Sequence, residues 1–426
     1  MKNFLNKEIY LLTTIFLLTT LNSNSQTRLI WGRQFGSEGK EYVMNHLADH
    51  EGNIYVSGTT SGMMGDIHYG SDDGFITKLD SSGNVIWTRQ FGTVENEVIQ
   101  WSAMDKSENV YITGSTRGDL KGNNNGEEDI FIVKYDPEGH LMWFNQIGTD
   151  STDIGNGIFA DEKGFIYVTG ITSGKLGKSL NGKTDGFILK LDNEGKLIFA
   201  HQFGTSENDQ GIALTGDNSS NIYACGTTWG DLSAKNKGFV DALIIKITDD
   251  GSKAESFQFG SEGFDIPMAI NIDDSGNIYI GGSTSGNFAC PQKGEGDCFL
   301  TKFNGNGEMV WNRQFGTQKN DGIRAIEIND NISDNLLVCG VMNLPPAQAF
   351  IKMFDKSGET LWEKNFDSDF NKVDASGKDV TIDKTGNLYT SGLTQGSLFG
   401  PLRGDSDFYI LKLGLDKKYL NKPKFK

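Results

Sequence analysis

Between Asn53 and Phe91 the chain contains the runs NIYVSGTT, DGFITKLD and VIWTRQF, each rich in β-branched and aromatic residues and bounded by Gly, Asp, Asn and Ser. Runs of that length and composition, punctuated in that way, predict short strands joined by tight turns. No window carries the three-and-four apolar spacing of an amphipathic helix, so almost no helix is expected. The runs then return. NVYITGST begins at Asn109, NIYIGGST at Asn277 and NLYTSGLT at Asn387; DIFIVKYD, DGFILKLD, DALIIKIT, DCFLTKFN and DFYILKLG repeat the second; WGRQFG at Trp31 and WNRQFG at Trp311 repeat the third. A more variable run, such as DQGIALTGD at Asp209, follows each Phe-Gly pair.

The Phe-Gly pair sets the period. It stands at Phe35-Gly36, Phe91-Gly92, Phe203-Gly204, Phe259-Gly260 and Phe315-Gly316, with Ile147-Gly148 and Phe366-Asp367 as variants, so successive copies lie 56 residues apart until a last interval of 51. A fixed period of that length marks a repeat architecture. Ile54, Val56 and Gly58 on one face of a strand, and Tyr55, Ser57 and Thr59 on the other, are all apolar or neutral. A sheet wet on one side would alternate apolar with charged residues, so these sheets are covered on both. Four-stranded blades packed around an axis meet that need. The first strand carries small residues (Gly157, Ala213, Ala269, Ala325) and is placed innermost, whereas the fourth, with Arg89, is placed at the rim. Each strand type occurs seven times, yet the first fourth-type run, LIWGRQF, precedes all other strands. The expected fold is an all-β, seven-bladed propeller over residues 29–416, four antiparallel strands per blade, with the N-terminal strand closing the last blade.

The elements W-x-x-Q-F-G, G-N-I-Y-V-x-G-x-T and D-G-F-I-x-K-L-D-x-x-G resemble the bacterial seven-bladed β-propeller repeat (SBBP repeat) family across essentially this whole span. That resemblance implies a secreted or surface-associated propeller and assigns no activity. Blade six departs most, with Leu337 for Tyr, Gln348 for Asp, Met353 for Lys and a loop shortened around Pro345-Pro346. It is expected to be the least regular.

Composition then narrows the partners. A net charge of −17 disfavours nucleic acid and anionic membrane surfaces. Lys2 and Lys7, an apolar run from Ile9 to Leu21 and a polar NSNSQ stretch have the order of a secretory signal over residues 1–25, cleaved after Ser25. That run falls short of the roughly 20 residues of a membrane span. The expectation is an exported monomer, periplasmic, extracellular or at the cell surface, not membrane-spanning. The tail 417–426 is basic and expected to be disordered.

Residues that recur in every blade are read as structural, since packing needs them seven times and a ligand once. The string Gly58-x-Thr60-x-Gly62 and its copies mimic a nucleophile elbow, but no helix follows. Glu41, Glu97, Asp153, Asp209, Asp265 and Asp321 occupy one slot at the entrance to the innermost strand. They are expected to ring one mouth of the channel, either capping backbone N–H groups or holding a cation on the axis. The Asp49 series suits the first position of a type I turn. Trp101 replaces a small residue on an innermost strand, while Trp229 and Arg117 replace Ser in a loop slot; these three are candidate ligand contacts. Asp367, Asp369 and Asn371 begin like a calcium loop but lack its Gly and Glu. HExxH and paired CxxC motifs are absent, so no zinc site is argued and no cofactor is expected. Cys225 and Cys339 are expected to be buried, and Cys290 and Cys298 to form a disulfide across one loop. The function expected is non-catalytic binding of a protein or glycan through one loop face. A polysaccharide-active hydrolase or lyase with a site at the axis, and a purely structural surface repeat, are the alternatives.

Overall fold

A computed structural model describes residues 27–420, except 123, 178, 331–332, 344–346 and 367–374. The signal segment and the weak calcium-loop candidates Asp367, Asp369 and Asn371 lie outside the described residues. Seven four-stranded antiparallel sheets form the ring. Blade one comprises Glu41–Ala48, Ile54–Thr60, Asp73–Leu79 and Val85–Phe91, and blades two to six begin at Glu97, Asp153, Asp209, Asp265 and Asp321. Blade seven is composite. Ala375–Ile382, Asn387–Thr394 and Asp407–Leu415 take Thr27–Phe35 as their outer strand, with Thr27 opposite Leu415 and Phe35 opposite Phe408. The chain thus closes as the repeat count requires, and no sheet is left open between first and last blades.

Packing follows from the apolar character of both sheet faces. Tyr55 and Ile76 of blade one meet Ile99, Val110 and Phe131 of blade two, and equivalent clusters fill the other blade-to-blade interfaces. Phe75, Phe131, Phe187 and Phe299 are fully buried. Each such ring contributes roughly 1.5–3 kcal/mol relative to exposure.

The recurring W-x-R-Q-F string ties the rim together. Trp31, Trp87, Trp143 and Trp311 each donate an indole N–H to a carbonyl of the neighbouring blade's third-to-fourth turn, at Ser81, Pro137, Asn193 and Lys356. Arg89 does not simply reach water: its Nε donates to Gly139 O at 2.7 Å while its guanidinium lies over Trp87.

Blade six keeps four strands despite its substitutions, with Leu337 and Met353 entering the core in place of the polar pair, and it alone adds a second register shift between its first two strands, at Ile328/Asn329. The first residues of the tail, as far as Leu420, are held against the ring. Lys417–Tyr419 forms a 3-10 turn, Tyr419 O accepts from Ser333 Oγ at 2.8 Å, and Leu420 packs on the apolar cluster of blades six and seven. Among the described residues no helix is long and apolar enough to cross a membrane.

One irregularity recurs around the axis. Every innermost strand slips register between its third and fifth residues, from Val43/Asn45 in blade one to Ile323/Ala325 and Gly377/Asp379 in blades six and seven. The residue between is a bulge, a device that re-aims a side chain.

Candidate functional site

The six acids at the blade entrances are turned onto their own loops. All are 0–2% exposed, and each accepts the backbone N–H of the residue four positions earlier. Ser37 N donates to Glu41 at 3.0 Å, Thr93 N to Glu97 at 2.6 Å, Thr149 N to Asp153 at 2.6 Å, Thr205 N to Asp209 at 2.6 Å and Ser261 N to Asp265 at 2.5 Å; Thr317 N donates to Asp321. Hydroxyls of Thr60, Thr116 and Thr284 complete three of these caps. The physical reason is satisfaction: the fourth-to-first loop buries N–H groups that need an acceptor. Of the two alternatives read from the sequence, these hydrogen bonds have the geometry of backbone caps, and none of the six acids lines the axial cavity.

A second buried acid opposes each cap, at a position passed over in the sequence. Asp73, Asp129, Asp185, Asp241, Asp297 and Asp407 open the third strands and accept from Gln90, Gln146, Gln202, Gln258, Gln314 and Gln34. The Phe-Gly glycine lies between the two carboxylates. A Cβ on Gly92 would stand 2.3 Å from Asp73 Oδ1 and 2.7 Å from Glu97 Oε2, which explains why the slot is glycine. Burial raises the Glu97 and Asp265 carboxyls, and the facing Asp73 and Asp241 add to the effect.

The axis holds a cavity of about 270 Å³ lined by all seven innermost strands, and Trp101 forms part of its wall. Its titratable groups lie on blades one, six and seven: His46, Glu327 and Asp379. Burial pushes Glu327 up to about 8, with the charge of Asp379 contributing, and pushes Asp379 up to about 7. His46 is fully buried and burial lowers it to about 3, so its ring is neutral. Its backbone N–H donates to Asp379 Oδ2 at 3.0 Å, and its ring nitrogens meet Ser391 Oγ at 2.9 Å and Thr381 Oγ1 at 3.2 Å. These three residues were missed in the sequence. The available signal was departure from the repeat: Asp379 stands where other blades have Gly, Ala, Asn or Trp, and Glu327 where they have Leu, Ala, Phe, Thr or Asn.

The long second-to-third loops and the fourth-to-first loops share one face, as the contacts Ser61 N to Lys40 O and Trp229 N to Asn208 O show. Trp229 is 38% exposed there. Arg117 lies on the same face two blades away and pairs with Glu128 at 2.7 Å. The face is broken at blade six, where five residues separate Met342 from Gln348 against twelve in the other blades. Cavities of about 450 and 730 Å³ flank the gap. The smaller, between blades five and six, is lined by Phe264, Glu295, Asn320, Arg324 and Asn343; the larger by Lys40, Tyr42, Ser376 and Gln395 among others. Phe264 is 44% exposed and stacks on Phe239, ring centroids 5.1 Å apart.

The expected Cys290–Cys298 disulfide is not formed; both thiols are free. Cys298 points into the core between blades five and six, while Cys290 Sγ lies 3.6 Å from Gln314 O on the outer strand, so the sheet sends the two side chains to different places. Cys225 and Cys339 are buried as expected. Among the described residues, Asp136, Glu138 and His140 bring potential metal-binding atoms together, on a solvent-facing turn.

The SBBP beta-propeller repeat model matches four stretches, residues 30–62, 143–177, 198–233 and 258–289. Two longer proteins are similar over part of the chain. The regulatory protein FlaEY of Caulobacter vibrioides is 25% identical over 244 residues, covering 53% of this chain and 25% of FlaEY. An uncharacterised WD repeat-containing protein of Acanthamoeba polyphaga mimivirus is 23% identical over 57% of this chain and 18% of its own length. This chain thus spans a quarter or less of either relative. Among solved structures, an ulvan lyase of a polysaccharide lyase family (TM-score 0.51, 12% identity, 90% of this chain and 96% of that one) shares the fold. So does Drosophila Plexin A, solved with Semaphorin 1b (TM-score 0.51, 8% identity, 92% and 88%).

Proposed function

We propose that this seven-bladed propeller of SBBP repeats is an exported, non-catalytic binding module that recognises a glycan or protein through its loop face. The carrying observation is the break in that face at blade six. Packing alone would repeat the loop seven times; instead one loop is short and two cavities border it. Partly exposed aromatic rings, Phe264 and Trp229, stand on the same face, and aromatic anchors are frequent in binding surfaces. A glycan array and a purified-ligand titration test the reading. Phe264→Ala should weaken the interaction, whereas Ile86→Ser on the opposite rim should not. Equal loss from both variants, or loss only from the rim variant, overturns it.

A second reading, a hydrolase or lyase at the axis, is favoured by the two carboxyls there that hold protons near neutral pH, Glu327 and Asp379. It predicts release of reducing ends from a polysaccharide panel, abolished by Glu327→Gln. No release from any acidic or neutral polysaccharide removes it.

A further inference from the structure

The third-to-fourth turns lie on the face opposite the long loops. They read DSSGN at Asp80, DNEGK at Asp192, DDGSK at Asp249, NGNGE at Asn304 and DKSGE at Asp355. In blade two the turn is DPEGH, Asp136 to His140, and it alone of the six carries a histidine. Asp136, Glu138 and His140 each offer one ligand atom, and the three atoms lie within 4.8 Å of one another. Donors about 2.0–2.2 Å from a shared ion stand roughly 3–4 Å apart, so small side-chain rotations close the set. Asp136 Oδ2 and His140 Nδ1 are already 2.8 Å apart, and Glu138 and His140 are exposed and free to adjust. The backbone beneath them is fixed. Trp87 Nε1 and Lys78 Nζ donate to Pro137 O at 3.3 and 3.2 Å, and Arg89 Nε donates to Gly139 O at 2.7 Å. The charges of Lys78 and Arg89 oppose a cation, so a moderate affinity is expected.

A buried hydroxyl points to the same turn. Tyr111, Tyr167, Tyr223, Tyr279 and Tyr389 each donate to an Asp of their own blade's first-to-second turn. Tyr111 and Tyr167 also reach the next blade's third-to-fourth turn, at Asn193 Oδ1 (3.1 Å) and Asp249 Oδ1 (2.7 Å). Tyr55 is the corresponding residue of blade one. It is 1% exposed, yet its hydroxyl has no hydrogen-bond partner. Its own Asp49 pairs with Lys78 at 3.6 Å, and the slot that Asn193 fills in blade three holds Pro137, which has no side-chain acceptor. The hydroxyl therefore faces the DPEGH turn, near enough for the Glu138 charge to act on it. A buried donor left in that state is unfavourable, and a water carried by an ion on the turn would satisfy it.

We propose that Asp136, Glu138 and His140 form a site for a divalent transition-metal ion of the zinc class, with the Tyr55 hydroxyl as its outer hydrogen-bonding partner. One imidazole and two carboxylates suit zinc, nickel or cobalt, whereas calcium and magnesium take oxygen ligands. Three protein donors leave a coordination position for water. The outer partner matters because groups that hydrogen-bond to a metal's ligands tune its affinity. The site lies apart from both the loop face and the axis and depends on neither reading above.

The test is zinc titration of the untagged full chain carrying Cys290→Ser, which removes the partly exposed thiol as a rival ligand. Calorimetry reads the affinity, and the ring signals of the five histidines in NMR read the place. One equivalent of zinc should move the His140 ring signal, assigned by its loss in His140→Gln, and leave those of His46, His50, His68 and His201 unmoved. His140→Gln and Glu138→Gln should each weaken binding about tenfold or more, and Tyr55→Phe about tenfold, with unchanged circular dichroism as the check on folding. Calcium and magnesium should bind at least about tenfold more weakly than zinc. Zinc affinity untouched by His140→Gln, or a shift confined to His50, which pairs with Glu108, overturns the site. Calcium binding as tightly as zinc refutes the metal class, and full affinity in Tyr55→Phe refutes the part given to the hydroxyl.

Discussion

Replacing Glu327 by glutamine should make the protein more stable, and increasingly so as pH rises. The side chain is half-buried in the axial cavity and its carboxyl is raised from the ordinary 4.5 to about 8, first by burial and then by the charge of Asp379. The folded chain therefore keeps a proton that the unfolded chain has already released. Where the native state binds more protons, stability falls as pH rises, here from about 4.5 up to about 8, and is flat beyond. Glutamine keeps the shape and removes the titration. The shift corresponds to a ceiling of roughly 5 kcal/mol at alkaline pH. Water entering the channel screens the charge, so about 1–3 kcal/mol is the expected gain. Urea denaturation of both proteins at pH 4, 6, 8 and 9 reads it directly. The two should coincide near pH 4 and separate steadily to pH 8. A difference that does not change with pH, or a variant less stable at pH 8 than the parent, would falsify the placement of Glu327 in a water-poor channel.

Three further outcomes follow from the geometry. Gly92→Ala places a Cβ 2.3 Å from Asp73 Oδ1 and should cost about 3 kcal/mol, measured by denaturation; adding Asp73→Ala should recover part of that loss, and failure to do so would assign the strain elsewhere. Ser220 has φ 63° in the turn slot that Gly52, Gly164, Gly276 and Gly386 fill in other blades, so Ser220→Gly should stabilise by about 0.5–1 kcal/mol, and a lower melting temperature would contradict the turn assignment. A thiol assay should count four reactive groups in denaturant without reductant, and only Cys290 should react readily in the folded protein; a count of two would restore the disulfide.

The fold was legible because its signals are multiplied. One Phe-Gly pair means little, but five pairs and two variants at a nearly constant period define blade number, and a displaced LIWGRQF run defines the closure. The site was less legible for the same reason. Repetition drew notice to Glu41 and its counterparts, which turned out to satisfy loop amides. Glu327, Asp379 and His46 each occur once, on strands whose sequence is the most variable, and they line one cavity only because the ring brings blades six, seven and one together. The cysteines failed differently. Their spacing allowed a bridge, but the pleat of the third strand directs Cys298 into the core.

A ring fastened by pairing its earliest strand with its latest cannot be completed until both have been synthesised. Residues 27–35 must wait, unpaired, until Asp407–Leu415 has been made, some 370 residues later. During that interval Thr27–Phe35 lacks its only sheet partner, and an unpaired strand is open to chaperones and to wrong pairings. Closure thus acts as a proofreading step for synthesis: a truncated chain advertises its incompleteness at a single, unsealed seam.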